Sequence, residues 1–419
     1  MTAMDNIEVE SLESFSNRAR RWVNENLPPL SEHANLVDDE ASHLEAVADA
    51  RRLQRLVFDG GFAGICYPRE YGGQGLTREH QTVWRSLTAR RQTPHLFKIT
   101  HGIMGPTILD FGTEDQKRRH VPAMLRGDEL WVQFLSEPSA GSDLASSLTR
   151  ATRFDDTFVL EGSKIWSTGA DVSDFALVLV RTDLDLPKHR GLSMLILPIR
   201  SPGVTVRPIQ LVTGRADFCE EFFDEVQLPA TSIIGQENDG WNVLMRLFFH
   251  ERNMVGGNSL NDFGLAGFRE GAASAEEMLI TLAKSVGKSN DPYTRQLVGE
   301  AIVLDRLADH TIARVNAQMK VGSMPAPSAS IVKLMKSLSQ YRFREIALAI
   351  GGARVAMNGA DDEIGIHGHR WLVARVDTIA GGTNEMQRNA ISERVLGLPR
   401  EPAIDVDSPF REVLAKRAR

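Results

Sequence analysis

The sequence predicts an α+β protein: a helical N-terminal domain over residues 1–127, a central β domain over 128–235 and a C-terminal helical bundle over 236–419. Three observations predict it. Apolar residues recur at helical spacing through the first third, alternation at every second residue takes over between Glu129 and Pro229, and helical spacing returns in long runs after Gly240. No internal repeat, low-complexity tract or long linker divides the chain, so the three parts read as one integrated unit.

In the first part, LEAVADARRLQRLVFDGG places Leu44, Val47, Leu53 and Val57 near one helix face and stops at Gly60-Gly61. In the second, ELWVQFL, TFVLEGSKIW, DFALVLVRTD, LSMLILPI and VTVRPIQ read as strands separated by Gly, Pro and Asp turns. In the third, FREGAASAEEMLITLAKSVGKSNDP reads as a helix and a polar loop. Two long helices follow, RQLVGEAIVLDRLADHTIARVNAQM and SASIVKLMKSLSQYRFREIALAI, then the glycine-rich IAGGTNE and a final helix.

The segment GWNVLMRLFFHERNMV holds a carboxylate out of place. At about 100° per residue, Trp241, Leu244, Leu247, Phe248 and Val255 share one arc, and Glu251 falls in its middle. The opposite face carries Asp239, Asn242, Arg246, His250 and Asn253, so solvent-facing positions for a charge are plentiful. A carboxylate buried without a partner costs several kcal/mol, and desolvation raises its pKa toward the range useful for accepting a proton. Two readings stand: a structural ion pair with Arg252 or a distant arginine, or a catalytic base.

Composition excludes several classes. A chain of 419 residues that is 42% apolar buries a large core, and a net charge of −7 with a pI near 5.9 argues against nucleic-acid binding. The basic clusters ARRLQR, KRRH and AKRAR are short and interleaved with acids, as solvated helix faces are. Two cysteines, Cys66 and Cys219, are sparse enough to predict free thiols in a reducing compartment. The acidic start MTAMDNIEVESLESF lacks an apolar signal region, and the runs FALVLV and MLILPI are too short to span a bilayer, so the expectation is a cytoplasmic protein without membrane attachment. No metal is expected: His367 and His369 in GIHGHR lack completing ligands and read as surface-loop histidines.

Neither a P-loop nor a strand followed by G-x-G-x-x-G occurs. Instead FLSEPSAGSDL (134–144) is followed by EGSKIWSTGA (161–170). A turn such as SAGS offers backbone N–H groups and the Ser142 hydroxyl to a pyrophosphate, and an indole such as Trp166 can cover a flat ring. Taken singly, the turn also fits an ordinary hairpin and the tryptophan a packed core. Together they closely resemble the flavin-binding signature of the acyl-CoA dehydrogenase family. CYPREYGGQGLT, FGTEDQKRRHVPAMLRGDE, FFDEVQLP and IAGGTNEMQRNAISERVLGLP match the family in order along nearly the whole chain.

The resemblance implies a C-terminal four-helix bundle, a tetramer and bound FAD. It implies that Leu135 and Ser136 meet the pyrimidine edge of the flavin, that Gly141 and Ser142 lie at the phosphates, and that Trp166, Ser167 and Thr168 flank N5. Thr383 and Glu385 match positions at the adenosine and phosphate end, with Glu385 standing where some members have Gln. Two departures matter. Many members carry the catalytic Glu immediately before G-T in the C-terminal loop, where this chain has Gly381; isovaleryl-type and long-chain-type members also have a small residue there and keep the base in a Glu-Arg pair that aligns with Glu251 and Arg252. The R-x-x-F element by which a neighbouring subunit grips FAD is missing; Arg295 is a partial substitute, and Gly351-Gly352 retains the turn that approaches the pyrophosphate.

The chemistry so implied is α,β-dehydrogenation of an acyl-CoA. Glu251 takes the α-proton, the β-hydride goes to flavin N5, and the thioester oxygen is held by the ribityl hydroxyl and by a backbone N–H at Gly381 or Gly382, with Arg252 lining the substrate site. An electron-transferring flavoprotein is the expected oxidant, and a homotetramer the expected assembly. Two rivals remain: an oxygen-using flavin monooxygenase or oxidase on the same scaffold, and a non-catalytic or partner-dependent subunit of a heterotetramer.

Overall fold

A computed structural model describes residues 9–29, 40–255, 275–357, 359, 364–402 and 406–417. The chain begins with helices α1 (Leu12–Asn26), α2 (Glu40–Asp59), α3 (Arg78–Thr88), α4 (Gly105–Phe111) and α5 (Glu114–Arg126). Ser11 caps α1 by accepting the Ser14 N–H, and Thr113 opens α5 through a capping box with Gln116. The Gln116 amide also donates to the Thr231 and Ile233 carbonyls, each at 2.8 Å, which ties the helical part to the sheet. Phe15, Phe62 and Trp84 centre the helical core, with Phe62 stacked on Trp84 at 4.6 Å. Leu53 and Val57 join that core as expected, but Leu44 is 59% exposed. Among the described side chains of α2 before Ala50 only Val47 is half-buried, and Leu44 lies in that exposed stretch.

The sheet comprises β1 (Trp131–Phe134), β2 (Arg150–Phe154), β3 (Thr157–Thr168), β4 (Phe175–Arg181), β5 (Leu192–Pro198), β6 (Val204–Ile209), β7 (Phe218–Pro229) and β8 (Ile233–Ile234). Its order is β6-β7-β3-β2-β4-β5-β8, with β1 parallel to β4. All five strands expected from the alternation are present; β2, β7 and the short β8 are additional. The inner face packs Phe134, Phe158, Leu160, Val178, Leu195 and Phe223.

Helix α6 (Gly240–Val255) leads into the C-terminal helices α7 (Ala275–Ser285), α8 (Pro292–Lys320) and α9 (Ala329–Gly351), followed by α10 (Arg354–Met357), α11 (Gly365–Leu372), α12 (Ala374–Ile379), α13 (Asn384–Arg394) and α14 (Phe410–Arg417). Helices α7, α8 and α9 share a core of Leu279, Leu282, Leu297, Phe343, Ile346 and Ile350. Helix α6 instead buries Val243, Leu244 and Leu247 with the N-terminal helices and β5, which makes it the bridge between the helical parts and the sheet. Among the described residues no helix is long and apolar enough to cross a membrane. Cys66 and Cys219 are free thiols, as expected. GIHGHR corrects its expectation: it forms most of α11 rather than a surface loop, and burial of His367 pushes its pKa down to about 4.

Candidate active site

Glu251 sits one turn past the buried Leu247 and two past the buried Leu244 on α6, and is itself half-buried. The other face of α6 is less open than the sequence implied. His250, expected in solvent, is buried, because Asp110 of α4 meets its Nε2 at 2.8 Å and also takes Arg246 at 2.5 Å. That double contact fixes the rotation of α6 and so the direction of Glu251. Burial raises the Glu251 carboxyl above the usual carboxylate range, opposed by a hydrogen bond from Gln133 and by the positive charges of Arg252 and Lys333.

The glycine loop lies directly across from it. A Cβ placed at Gly381 would fall 3.2 Å from Glu251 Oε1. Gly381 and Gly382 hold φ values of +66° and +84°, the left-handed region that glycine alone enters without cost. Gln387 Nε2 pins both by donating to their carbonyl oxygens at 3.1 Å each. Thr383 caps α13 by accepting the Met386 N–H, and Asn384 Oδ1 accepts from Ser337 at 2.6 Å and from Lys333 at 3.4 Å. Glu385 points outward, beside Arg388 at 3.4 Å.

The two motifs of the sheet are stitched together by a buried ion pair. Glu137 meets Lys164 Nζ at 2.9 Å and also accepts the Leu148 and Thr149 N–H groups at 2.7 and 2.9 Å. Lys164 donates onward to the Leu135 carbonyl at 2.9 Å, and the Ile165 N–H donates to Ser136 O at 2.9 Å. Leu135 and Ser136 are thereby held beside β3. A bulge between Ile165 and Ser167 puts Trp166 at φ +70° and turns its indole outward, 55% exposed against the edge of Phe218. Thr168 is exposed next to it, whereas the Ser167 side chain turns into the sheet and meets Glu221 at 3.1 Å, away from the face Trp166 presents. Burial pushes the Glu221 carboxyl up to about 8. Gly141 and Ser142 lie exposed on their loop, with open space where a Gly141 Cβ would be.

The remaining candidates lie at one end of the bundle. Arg295 projects from the exposed first turn of α8, near the end of α9, which is tied down by Lys288 donating to Ile350 O at 2.7 Å. Gly352 is open and at φ +59°, but Gly351 is buried against Val355, so only the second glycine of that pair faces outward. Gln133, Lys333 and Gln387 were not among the sequence candidates; Gln133 and Lys333 act from elements remote in sequence, whereas Gln387 reaches back only five and six residues from the first turn of α13.

The residues present fit a flavin. A solvent-exposed indole held in a strained bulge has no packing reason to face outward. The buried Gln133 Oε1, on the amide that donates to Glu251, has no hydrogen-bond donor among the described residues, and a bound polar ring edge would supply one.

A desolvated carboxylate facing a left-handed glycine loop, with an outward indole on the sheet, has the features of an enzyme site. The N-terminal, middle and C-terminal domains of acyl-CoA dehydrogenase match residues 10–128, 133–226 and 238–396. The chain belongs to the acyl-CoA dehydrogenase family, whose members are flavoprotein oxidoreductases. It is 33% identical over 404 residues to acyl-CoA dehydrogenase IpdE1 of Mycobacterium tuberculosis, spanning 94% of this chain and 99% of that one. The solved Tcur3481-Tcur3483 steroid acyl-CoA dehydrogenase superposes with a TM-score of 0.75 at 26% identity, covering 95% of this chain and 100% of the other. The ChsE4-ChsE5 complex from Mycobacterium tuberculosis shares the fold, with a TM-score of 0.70 at 22% identity over 95% and 100% of the chains.

Proposed function

We propose that this acyl-CoA dehydrogenase acts with FAD, uses Glu251 as the base that removes the α-proton, and takes a bulky, ring-bearing acyl group. The observation that carries the reading is the desolvated Glu251 carboxyl facing Gly381, where a Cβ would meet no heavy atom of the described residues within 4 Å but Glu251 Oε1. An α-proton beside a thioester is weakly acidic, so its removal needs both a base and donors to the carbonyl oxygen. Gln387 fixes the peptide planes of the glycine loop, which leaves their N–H groups available to such an oxygen. Gln133 orients the carboxyl, and Arg252, held beside it on α6, favours its charged form against burial. FAD bound against Trp166 supplies the hydride acceptor, and an electron-transferring flavoprotein reoxidises it.

The acyl preference rests on two points: the named steroid substrate class of the Tcur3481-Tcur3483 enzyme, and a base placed on the helix, which leaves the Gly381 side free for bulk. Purified protein is expected to be yellow, and anaerobic mixing with acyl-CoAs is expected to bleach the flavin. Alicyclic thioesters should exceed butyryl-CoA in kcat/KM by at least about tenfold, the scale on which pocket fit discriminates. Equal rates across chain shapes would remove the substrate class, and rapid reoxidation by air would favour the oxygen-using rival.

A second reading concerns assembly. Arg295 and Gly352 are exposed together at one end of the bundle, and α8 shows Tyr293, Val303 and Leu307 to solvent. A neighbouring subunit that covers this face would complete the FAD site. We propose a tetramer; light scattering is expected to give four chains, and a monomer that retains FAD would refute it. Recovery of stable protein only with a second homologous chain would make it a heterotetramer.

A further inference from the structure

We infer that the C-terminal segment 406–417, beyond the matched family domains, is a strap that positions the phosphate-binding loop of the flavin site through Arg181; this rests on the flavin reading of that loop. The strap returns to the sheet and runs along the turn after β4. Phe410 N–H donates to Leu186 O and Arg411 N–H to Leu184 O, both at 3.0 Å, and Pro409 bridges Pro187. Arg411 pairs with Asp185 at 2.5 Å. Phe410 is fully buried, and its ring lies 4.4 Å from the guanidinium carbon of Arg181.

Arg181 is the other half of the device. It is 2% exposed, and no side-chain carboxylate among the described residues bonds it directly. Its guanidinium donates to backbone carbonyls: Nη2 to Ala145 at 2.6 Å, Nη1 to Lys188 at 2.7 Å, and Nε to Ser147 at 3.4 Å. A buried cation satisfied this way depends on the dipoles around it and on the face of the aromatic ring. Those carbonyls flank Asp143, the neighbour of Ser142: Ser146 donates to Asp143 at 2.6 Å from one side, and Lys188 meets it at 3.3 Å from the other. The chain of contact therefore runs from Phe410 through Arg181 to both supports of the SAGSD loop. A tail that merely covered apolar surface would not need to seat its one fully buried aromatic ring on that particular cation.

The test uses full-length Phe410→Ala and Phe410→Leu, the second keeping the site filled without a ring face. Amide exchange is followed in FAD-free protein at Ser147, Arg190 and Gly191, whose N–H groups bond within these turns. FAD affinity is measured by flavin fluorescence. For Phe410→Ala, exchange at those amides and the FAD dissociation constant are each expected to rise about tenfold, the scale of a desolvated cation–π contact. The rate at saturating FAD should stay within about twofold, since Phe410 touches no reacting group. Phe410→Leu should show the same effects, reduced, and it carries the test if the alanine variant does not fold. A lowered melting temperature with unchanged exchange and affinity would reduce the strap to general stabilisation and overturn the proposal. If the wild-type protein binds no FAD, the flavin reading fails first, while faster exchange in the variants would still show the strap holding the loop.

Discussion

Glu251→Gln is expected to fold, retain FAD and bind acyl-CoA, and yet leave the flavin oxidised in anaerobic mixing. The amide keeps the shape of the side chain and can still accept from Gln133, but it has no basic lone pair for the α-proton. Removing a general base costs about 100-fold to 10,000-fold in rate. The pH profile adds an independent check. A base works only when ionised, so wild-type kcat/KM should fall as pH drops through the Glu251 pKa. Burial raises that pKa while Gln133, Arg252 and Lys333 hold it back, so the fall should come at higher pH than for a solvent-exposed carboxylate. The limb should be absent in the Gln variant. Bleaching at the wild-type rate would place the base elsewhere, and an unfolded variant would make Glu251 a structural ion-pair member. Transplanting a carboxylate to Gly381 offers only partial rescue, because φ there is +66° and a Cβ already approaches position 251.

Much of this site is legible in the sequence because it is local. Helical arithmetic put Glu251 in an apolar stripe, and α6 does bury Leu244 and Leu247 on that side. The left-handed glycines of the C-terminal loop and the outward tryptophan sit in motifs that can be read directly. What was not legible depends on partners distant in the chain. His250 looked solvent-facing until Asp110, 140 residues earlier, met it. Lys333 acts on Asn384 through packing of α9 against α13, which no spacing encodes; Gln387 is local to the glycine loop, but its amide contacts there follow from the fold of the loop and not from any residue pattern. Strand β7 hides behind Glu220-Glu221: an acid on its inner face, bonded to Ser167, interrupts the apolar alternation that would have announced it. Leu44 erred the other way, since periodicity reports a face but not how far along a helix the body extends.

The other large effect is expected at the Glu137–Lys164 pair. Both side chains are buried, and each belongs to one of the two sheet motifs. Burial pushes the Glu137 carboxyl up, but Lys164 and the backbone donors of Leu148 and Thr149 outweigh it and hold the group below its usual range, so it stays ionised. By linkage, the stability Glu137 contributes is present above its unfolded pKa and is lost as pH falls through the depressed folded one. Lys164→Met leaves that carboxylate without its counter-charge and the Leu135 carbonyl without its donor. Breaking a buried pair from one side costs about 3–5 kcal/mol, and the two remaining N–H donors place this case toward the lower end. Thermal unfolding and flavin content should therefore fall together, because Leu135 and Ser136 lose their tie to β3. Adding Glu137→Gln removes the stranded charge while its amide oxygen still accepts one backbone N–H, and about half of the lost stability should return. Flavin content should recover less, since nothing in the double variant restores a donor to the Leu135 carbonyl. If Lys164→Met unfolds within about 1 kcal/mol of the wild type, the range of an exposed pair, the ion pair is not what holds the two motifs together. The Ile165–Ser136 backbone bond would then have to carry the register of the flavin site alone.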